Sequence, residues 1–217
     1  MINNSLFIAE ETASESGRQE TRTAILDAAE RLLVYYGFQK MTMQDLADEA
    51  KIGVGTTYLH FKGKADVAVG VIERANQRHL EQFRKIADGE GTVAERLRQV
   101  VLARILFRYD ATRQTRHSME DLVQTMRTSC ATKGMVWLQA ETDVLHQLVM
   151  EGVEQGVFAL AATRNATETT QCLMLATKGM MPGSLHPSDY DDPEAFKSKS
   201  ECLTNFLISA LYSPKSL

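Results

Sequence analysis

Between residues 54 and 64 the chain crowds polar donors onto a short stretch: Thr56, Thr57, Tyr58 and His60, then Lys62 and Lys64. Hydroxyls, an imidazole and ammonium groups are the donors that phosphate oxygens accept from. Upstream, Thr42 stands where a helix would start and free amides attract an anion. Gln44 carries an amide able to pair bidentately with adenine, and Val54, Gly55 and Thr57 could meet other base edges, a valine or a threonine methyl suiting thymine. Arg22 and Arg18 can approach phosphates from a preceding segment. The chemistry these types offer is docking on a duplex, with phosphate contacts that position and edge contacts that specify.

Such groups need rigid presentation. Thr42 and Asp45 form a T-x-x-D capping box that starts a helix at Met43. Leu46, Ala47 and Ala50 give it one apolar stripe. The chain turns through Lys51-Ile52-Gly53, with Ile52 able to fill the angle, and a second helix follows from about Val54 to Phe61. That helix is too short to persist alone, so its inner face must be clamped by neighbours. Ahead of the pair, Ile25, Ala28, Ala29, Leu32, Leu33 and Tyr36 recur at helical spacing, and Gly37 ends that helix.

The rest of the chain also reads as helix after helix, an all-α chain of about nine. Lys64 to about Ala87 is a long linking helix, broken by Asp88-Gly89-Glu90-Gly91. Capping boxes at Thr92-x-x-Glu95, Ser118-x-x-Asp121 and Asn165-x-x-Glu168 open further helices. Another spans about 134–156, with Leu138, Leu145, Leu148, Val149 and Val153 on one face. MPGSLHPSDYDDP reads as a loop, and Asp192-Pro193-Glu194 starts the last helix, which repeats Phe196, Leu203, Phe206, Leu207, Ala210 and Leu211. Ala-Thr-Lys-Gly-Met occurs at 131–135 and 176–180 without matching flanks, so there is no repeat architecture. The expected domains are a flexible tail over 1–17, a helix-turn-helix domain over 18–63 and a helical domain over 64–217.

Residues 22–74 resemble the tetracycline-repressor-like (TetR-type) transcriptional regulators. The resemblance rests on Ala28-Ala29, Gly37-Phe38, Thr42, Leu46-Ala47, Gly55-Thr56, Tyr58, His60-Phe61 and Lys64, in that order. It implies that Thr56 and Tyr58 touch phosphates, while Thr42 and Lys64, each at a helix N-terminus, and the His60 imidazole suit phosphate by their own chemistry. Two positions depart from the pattern: Lys51 stands where the turn glycine is usual, and Gly53 where a serine usually caps the reading helix. A left-handed lysine costs about 1–2 kcal/mol, enough to reshape the turn. The resemblance further implies a rear domain that binds an effector and dimerises. Leu106, Phe107, Met119, Leu122, Met126, Trp137 and Leu138 are candidates to line its cavity. Cys172, Leu173, Leu203, Phe206, Leu207 and Ala210 are candidates for a four-helix dimer contact. The implied partners are a palindromic double-stranded operator, a small, largely apolar effector and a second copy of the chain. No cofactor is called for.

Composition sets bounds on this. The chain has 217 residues, 44% of them hydrophobic, and a formal charge of −4, which argues against indiscriminate nucleic-acid binding. Residues 18–64 carry seven basic and six acidic groups, so positive charge is local and binding should depend on a paired contact. No run approaches the ~20 apolar residues of a membrane span, and the start lacks the pattern of a secretory signal. Three cysteines without a C-x-x-C pair point to reduced thiols in a cytoplasm and to no metal site. Motifs for acyl transfer, nucleotide binding and zinc hydrolysis are missing from the sequence, so an enzyme is not expected. The rival reading is a helical scaffold whose front domain has lost DNA affinity.

Overall fold

The computed structural model describes residues 4–114, 131–160 and 165–212. Among them the chain forms nine α-helices, three short 3-10 turns and no strand. They fall into two units, one of residues 4–75 and one of residues 76–114 and 131–212, and the division lies within the fifth helix. The helix expected at Ser118 lies outside the described residues. Among those that are described, no helix is long and apolar enough to cross a membrane.

In the first unit, α1 spans Asn4–Tyr35, α2 Gly37–Lys40, α3 Met43–Ala50 and α4 Val54–His60. α1 therefore runs back through residues 4–17, where a flexible tail was expected; Leu, Ala and Glu there are strong helix formers. Gly37 ends it at φ 76°, a conformation that costs glycine nothing. Ile25, Leu26, Ala28, Ala29, Leu32 and Leu33 face a core shared with Phe38, Met41, Met43, Leu46, Phe61, Val67 and Ala68.

α5 spans Lys64–Ala87, and its first half is fixed to α1. The Arg74 guanidinium meets Asp27 at 2.6 Å and Glu30 at 2.8 Å. Gly70 admits the close approach, since a Cβ there would lie 2.9 Å from the Leu26 side chain and 3.1 Å from the Phe61 ring. The boundary expected after residue 63 thus moves into the helix, after Ala75.

In the second unit, α6 spans Val93–Gln114, α7 Ala131–Glu154, α8 Ala166–Ala176 and α9 Pro193–Ser209. α6 packs on α7 and α9, and α8 packs on α7. Leu97, Val100 and Val101 of α6 meet Val144, Leu145, Leu148 and Val149 of α7, with Phe158, Leu173, Ile208 and Leu211 closing the core. The stretch expected as a loop, residues 181–193, holds two 3-10 turns, Pro182–Ser184 and Pro187–Tyr190, and a third, Thr177–Met180, follows α8 directly. The Tyr109 ring stacks on Phe196 at 3.9 Å and on Tyr190 at 5.2 Å, and its hydroxyl donates to the Asp189 carbonyl at 2.9 Å. That contact holds the segment against α6.

Candidate nucleic-acid interface

The geometry of the front unit starts at Thr42. Its hydroxyl accepts from the Asp45 amide at 3.1 Å, while its own amide donates to the Asp45 carboxylate at 2.9 Å. The side chain and amide of Thr42 hold the Asp45 carboxyl below its ordinary pKa, so the box is intact at neutral pH. α3 then buries Met43, Leu46 and Ala47 and leaves Gln44 outside. The Gln44 amide donates to Asp48 at 2.8 Å, a bond it must give up to pair with a base edge.

α3 ends in a left-handed residue, and that residue is a lysine. Lys51 has φ 56° and ψ 43°, alone among the described non-glycine residues in having positive φ. The Ile52 amide returns to the Ala47 carbonyl at 3.0 Å and the Lys51 amide to Asp48 at 3.2 Å, as in a Schellman ending. The turn therefore keeps its left-handed form instead of being reshaped, and the strain stays stored in Lys51. Gly53 caps α4 in an extended conformation, with no side-chain bond to the helix amides.

α4 has sides of opposite character. Thr57 is 0% exposed and its hydroxyl donates to the Val54 carbonyl at 2.7 Å. Its assignment to a base edge is corrected: helical spacing turns it toward the core, and its one donor is spent within the helix. Tyr58 is 55% exposed and Leu59 79% exposed, with Val54 and Gly55 also outward and Thr56 and His60 half-buried. Leu59 is the residue that the sequence reading passed over. An apolar side chain left in water on a seven-residue helix was the available signal.

Two basic candidates are partly committed inside the unit. The Arg22 guanidinium lies over the Phe61 ring at 4.4 Å. The Lys64 ammonium sits 4.9 Å from the Phe38 ring and donates to the carbonyls of Phe38 and Gln39 at 3.3 and 3.0 Å. Both fasten helices together, so the phosphate role expected of Lys64 is left to whatever donor capacity remains. The outward set is Thr42, Gln44, Val54, Gly55, Tyr58 and Leu59, with Thr56 and His60 at its edge.

Residues 25–71 match the family model described as bacterial regulatory proteins, tetR family. The front unit is therefore similar to the tetR family of bacterial regulatory proteins. It is 38% identical over 69 residues to the HTH-type transcriptional regulator SAB2452 of Staphylococcus aureus (strain bovine RF122 / ET3-1), an alignment covering 32% of this chain and 37% of that relative. The chain thus spans little more than a third of the length of that curated relative.

Whole-chain likeness comes from structure. A TetR/AcrR-family transcriptional regulator from Thermobifida fusca YX-ER1 superposes with a TM-score of 0.62 at 22% identity, covering 89% of this chain and 100% of that one. The transcriptional regulator FadR from Bacillus subtilis, solved in complex with stearoyl-CoA, gives 0.60 at 16% identity over 88% and 99%. At those identities the likeness speaks for the fold.

The rear unit places the remaining candidates separately. Leu106 packs on the Tyr109–Phe196 cluster, Phe107 on His79, and Trp137 on the main core. Leu138 is 47% exposed, so its assignment to a buried wall is corrected; it falls on the outer side of α7. Met119, Leu122 and Met126 lie outside the described residues. Of the dimer candidates, Cys172, Phe206 and Ala210 are exposed, and Leu203 and Leu207 are half-buried. Leu173 is buried against α7 and α9 within one chain, which corrects its assignment. Leu175 of α8 is exposed.

Proposed function

We propose that the chain is a DNA-binding transcriptional regulator that works as a homodimer on a palindromic operator and releases it when a small, largely apolar effector binds. The observation that carries the reading is α4 itself, a short helix clamped through Thr57 and Phe61 that holds Tyr58 and Leu59 out to solvent. Tyr58, Thr42, Thr56 and His60 supply phosphate contacts, with Arg22 and Lys64 bracing the helices behind them. Gln44, Val54, Gly55 and Leu59 face base edges, the leucine and valine suiting thymine methyls. A two-fold dimer presents two such helices to successive major grooves, about 34–36 Å apart.

The exposed apolar side chains of α8 and α9, Leu175 and Phe206, support pairing with a second copy through those helices. α5 belongs to both units, so an effector that prefers one arrangement of the rear helices has a covalent route to the reading head. Such an effector acts only through its differential affinity for the two states. The fold shared with FadR, which was solved with stearoyl-CoA, supports an effector with an apolar body, and repression is the favoured sign.

Fluorescence anisotropy with labelled duplex from the region upstream of the coding sequence tests this. The expected result is saturable binding to a short palindrome, weakening steeply between about 50 and 200 mM salt. Tyr58→Phe should weaken all sites alike and Gln44→Ala should alter sequence preference. Equal affinity for palindrome and scrambled duplex would reject the reading in favour of a scaffold.

A further inference from the structure

The rear unit contains a buried polar cluster that the DNA-reading account does not use. Arg104 of α6 and Glu141 of α7 are both buried, and the Arg104 Nε meets the Glu141 carboxylate at 3.2 Å. Arg108, one turn on, bonds the other oxygen of the same carboxylate, and Arg104 also donates to the Thr177 hydroxyl. Thr177 in turn donates to the Leu173 carbonyl at 2.9 Å. Two guanidinium groups thus share one carboxylate, which leaves one positive charge uncompensated among the described residues of the cluster. The excess charge falls on Arg108, whose side chain is 31% exposed, so it stands at the edge of the cluster with its charge open to an anion from outside.

His79 of α5 stands against this cluster. It is 2% exposed, its ring is stacked on Phe107 at 3.7 Å and 13°, and it meets the edge of Phe83 at 4.0 Å. Both of its ring nitrogens are buried without a hydrogen-bond partner, and so is the Nε of Arg108. Burial, with the charges of Arg108 and Arg104 beside it, pulls its pKa down to about 3, so the ring is neutral and offers one donor and one acceptor. A phenylalanine or leucine would fill this aromatic niche with no unmet polar atom. A histidine kept there is poorly explained by packing.

We propose that His79, Arg108 and Arg104 form the head-group site of the effector, and that the effector is a small monocarboxylic acid with an apolar body. This rests on the rear unit being the effector domain of the proposed regulator. One excess positive charge calls for a monoanion, which a phosphate dianion would overcompensate. A planar pair of oxygens suits the guanidinium edge of Arg108, with the His79 N–H as a second donor. The rings of Phe107 and Phe83 border the site and suit an apolar body. His79 lies on α5, so occupancy acts on the helix common to both units.

The test is thermal unfolding of the full chain with benzoate and octanoate, against benzamide and octanamide as uncharged isosteres, together with anisotropy on the upstream duplex. The carboxylates should raise the wild-type Tm by several degrees when far above their Kd, while the amides leave it in place. His79→Phe should melt no lower than wild type without ligand, because it removes two unmet polar atoms, yet lose the carboxylate-induced rise. Arg108→Gln, which leaves the Arg104–Glu141 pair intact, should lose it too. No rise with either carboxylate, an equal rise with the amides, or a full rise in His79→Phe overturns the assignment. DNA binding that uncharged compounds alone release also overturns it while leaving the regulator standing. A carboxylate-specific rise in a chain that binds no DNA would separate the two claims the other way.

Discussion

Replacing Lys51 by glycine gives the sharpest energetic test of the reading head. Lys51 closes α3 at φ 56° and ψ 43°, where an L side chain costs about 1–2 kcal/mol through its Cβ. Glycine removes that cost but loses about 0.4–1 kcal/mol to the greater freedom of the unfolded chain. The balance predicts that Lys51→Gly stabilises the front unit by roughly 0.5–1 kcal/mol. Lys51→Ala deletes the same charge while keeping a Cβ, so it should leave stability nearly unchanged. The pair isolates backbone strain from electrostatics. Denaturant unfolding followed by circular dichroism reads the stability difference, and anisotropy on the operator duplex reads affinity. Because the bonds from Ile52 to Ala47 and from Lys51 to Asp48 already draw the turn, both variants should shift DNA affinity by the same amount. If glycine stabilises no more than alanine, the turn is not strained in solution and the argument fails.

Three further outcomes follow from the packing. Gly152→Ala would place a Cβ 2.1 Å from the Phe158 ring, and its overpacking should cost about 1–3 kcal/mol despite alanine's better helix propensity, read by thermal unfolding. Thr57→Val keeps the buried shape but loses the hydroxyl bond to Val54; it should lower stability by about 1 kcal/mol and leave base preference unchanged in a binding-site selection. Acid should act through His79: its folded pKa of about 3 lies below the ordinary 6.5, so the unfolded chain takes up the proton first. Stability should therefore fall as pH drops from about 6.5 toward 3, by up to about 1.4 kcal/mol per pH unit from this group, and His79→Phe should flatten that part of the curve.

What the sequence disclosed was mostly local. The capping boxes at Thr42–Asp45, Thr92–Glu95 and Asn165–Glu168 all form as their spacing requires, because a cap needs only residues within one turn. The apolar faces of α1 and α6 follow the 3.6-residue period for the same reason, and the family pattern over 22–74 led to the right fold. The errors lie where a neighbour decides. Thr57 and Tyr58 are adjacent polar residues, and only the packing of α4 shows that one points in and the other out. Leu138 fits the same helical stripe as Leu145, yet α7 turns that end of the stripe to solvent.

The pairing of Arg104 with Glu141, separated by 37 positions, and the stacking of His79 on Phe107 leave no mark in local pattern. The acidic and small polar residues of 1–17 suggested a tail because they offer no apolar stripe to bury. In α1 a Cβ on Gly17 would meet nothing within 4 Å, and the helix runs through.

The central claim is that two copies of this chain present α4 to successive grooves on one side of a duplex. Sedimentation of the chain with its upstream palindrome, and with the same duplex lengthened by half a helical turn (about 5 base pairs) between half-sites, tests it most directly. The account predicts two chains per palindrome and loss of that complex on the lengthened duplex. One chain per duplex, or equal binding to both, would contradict it.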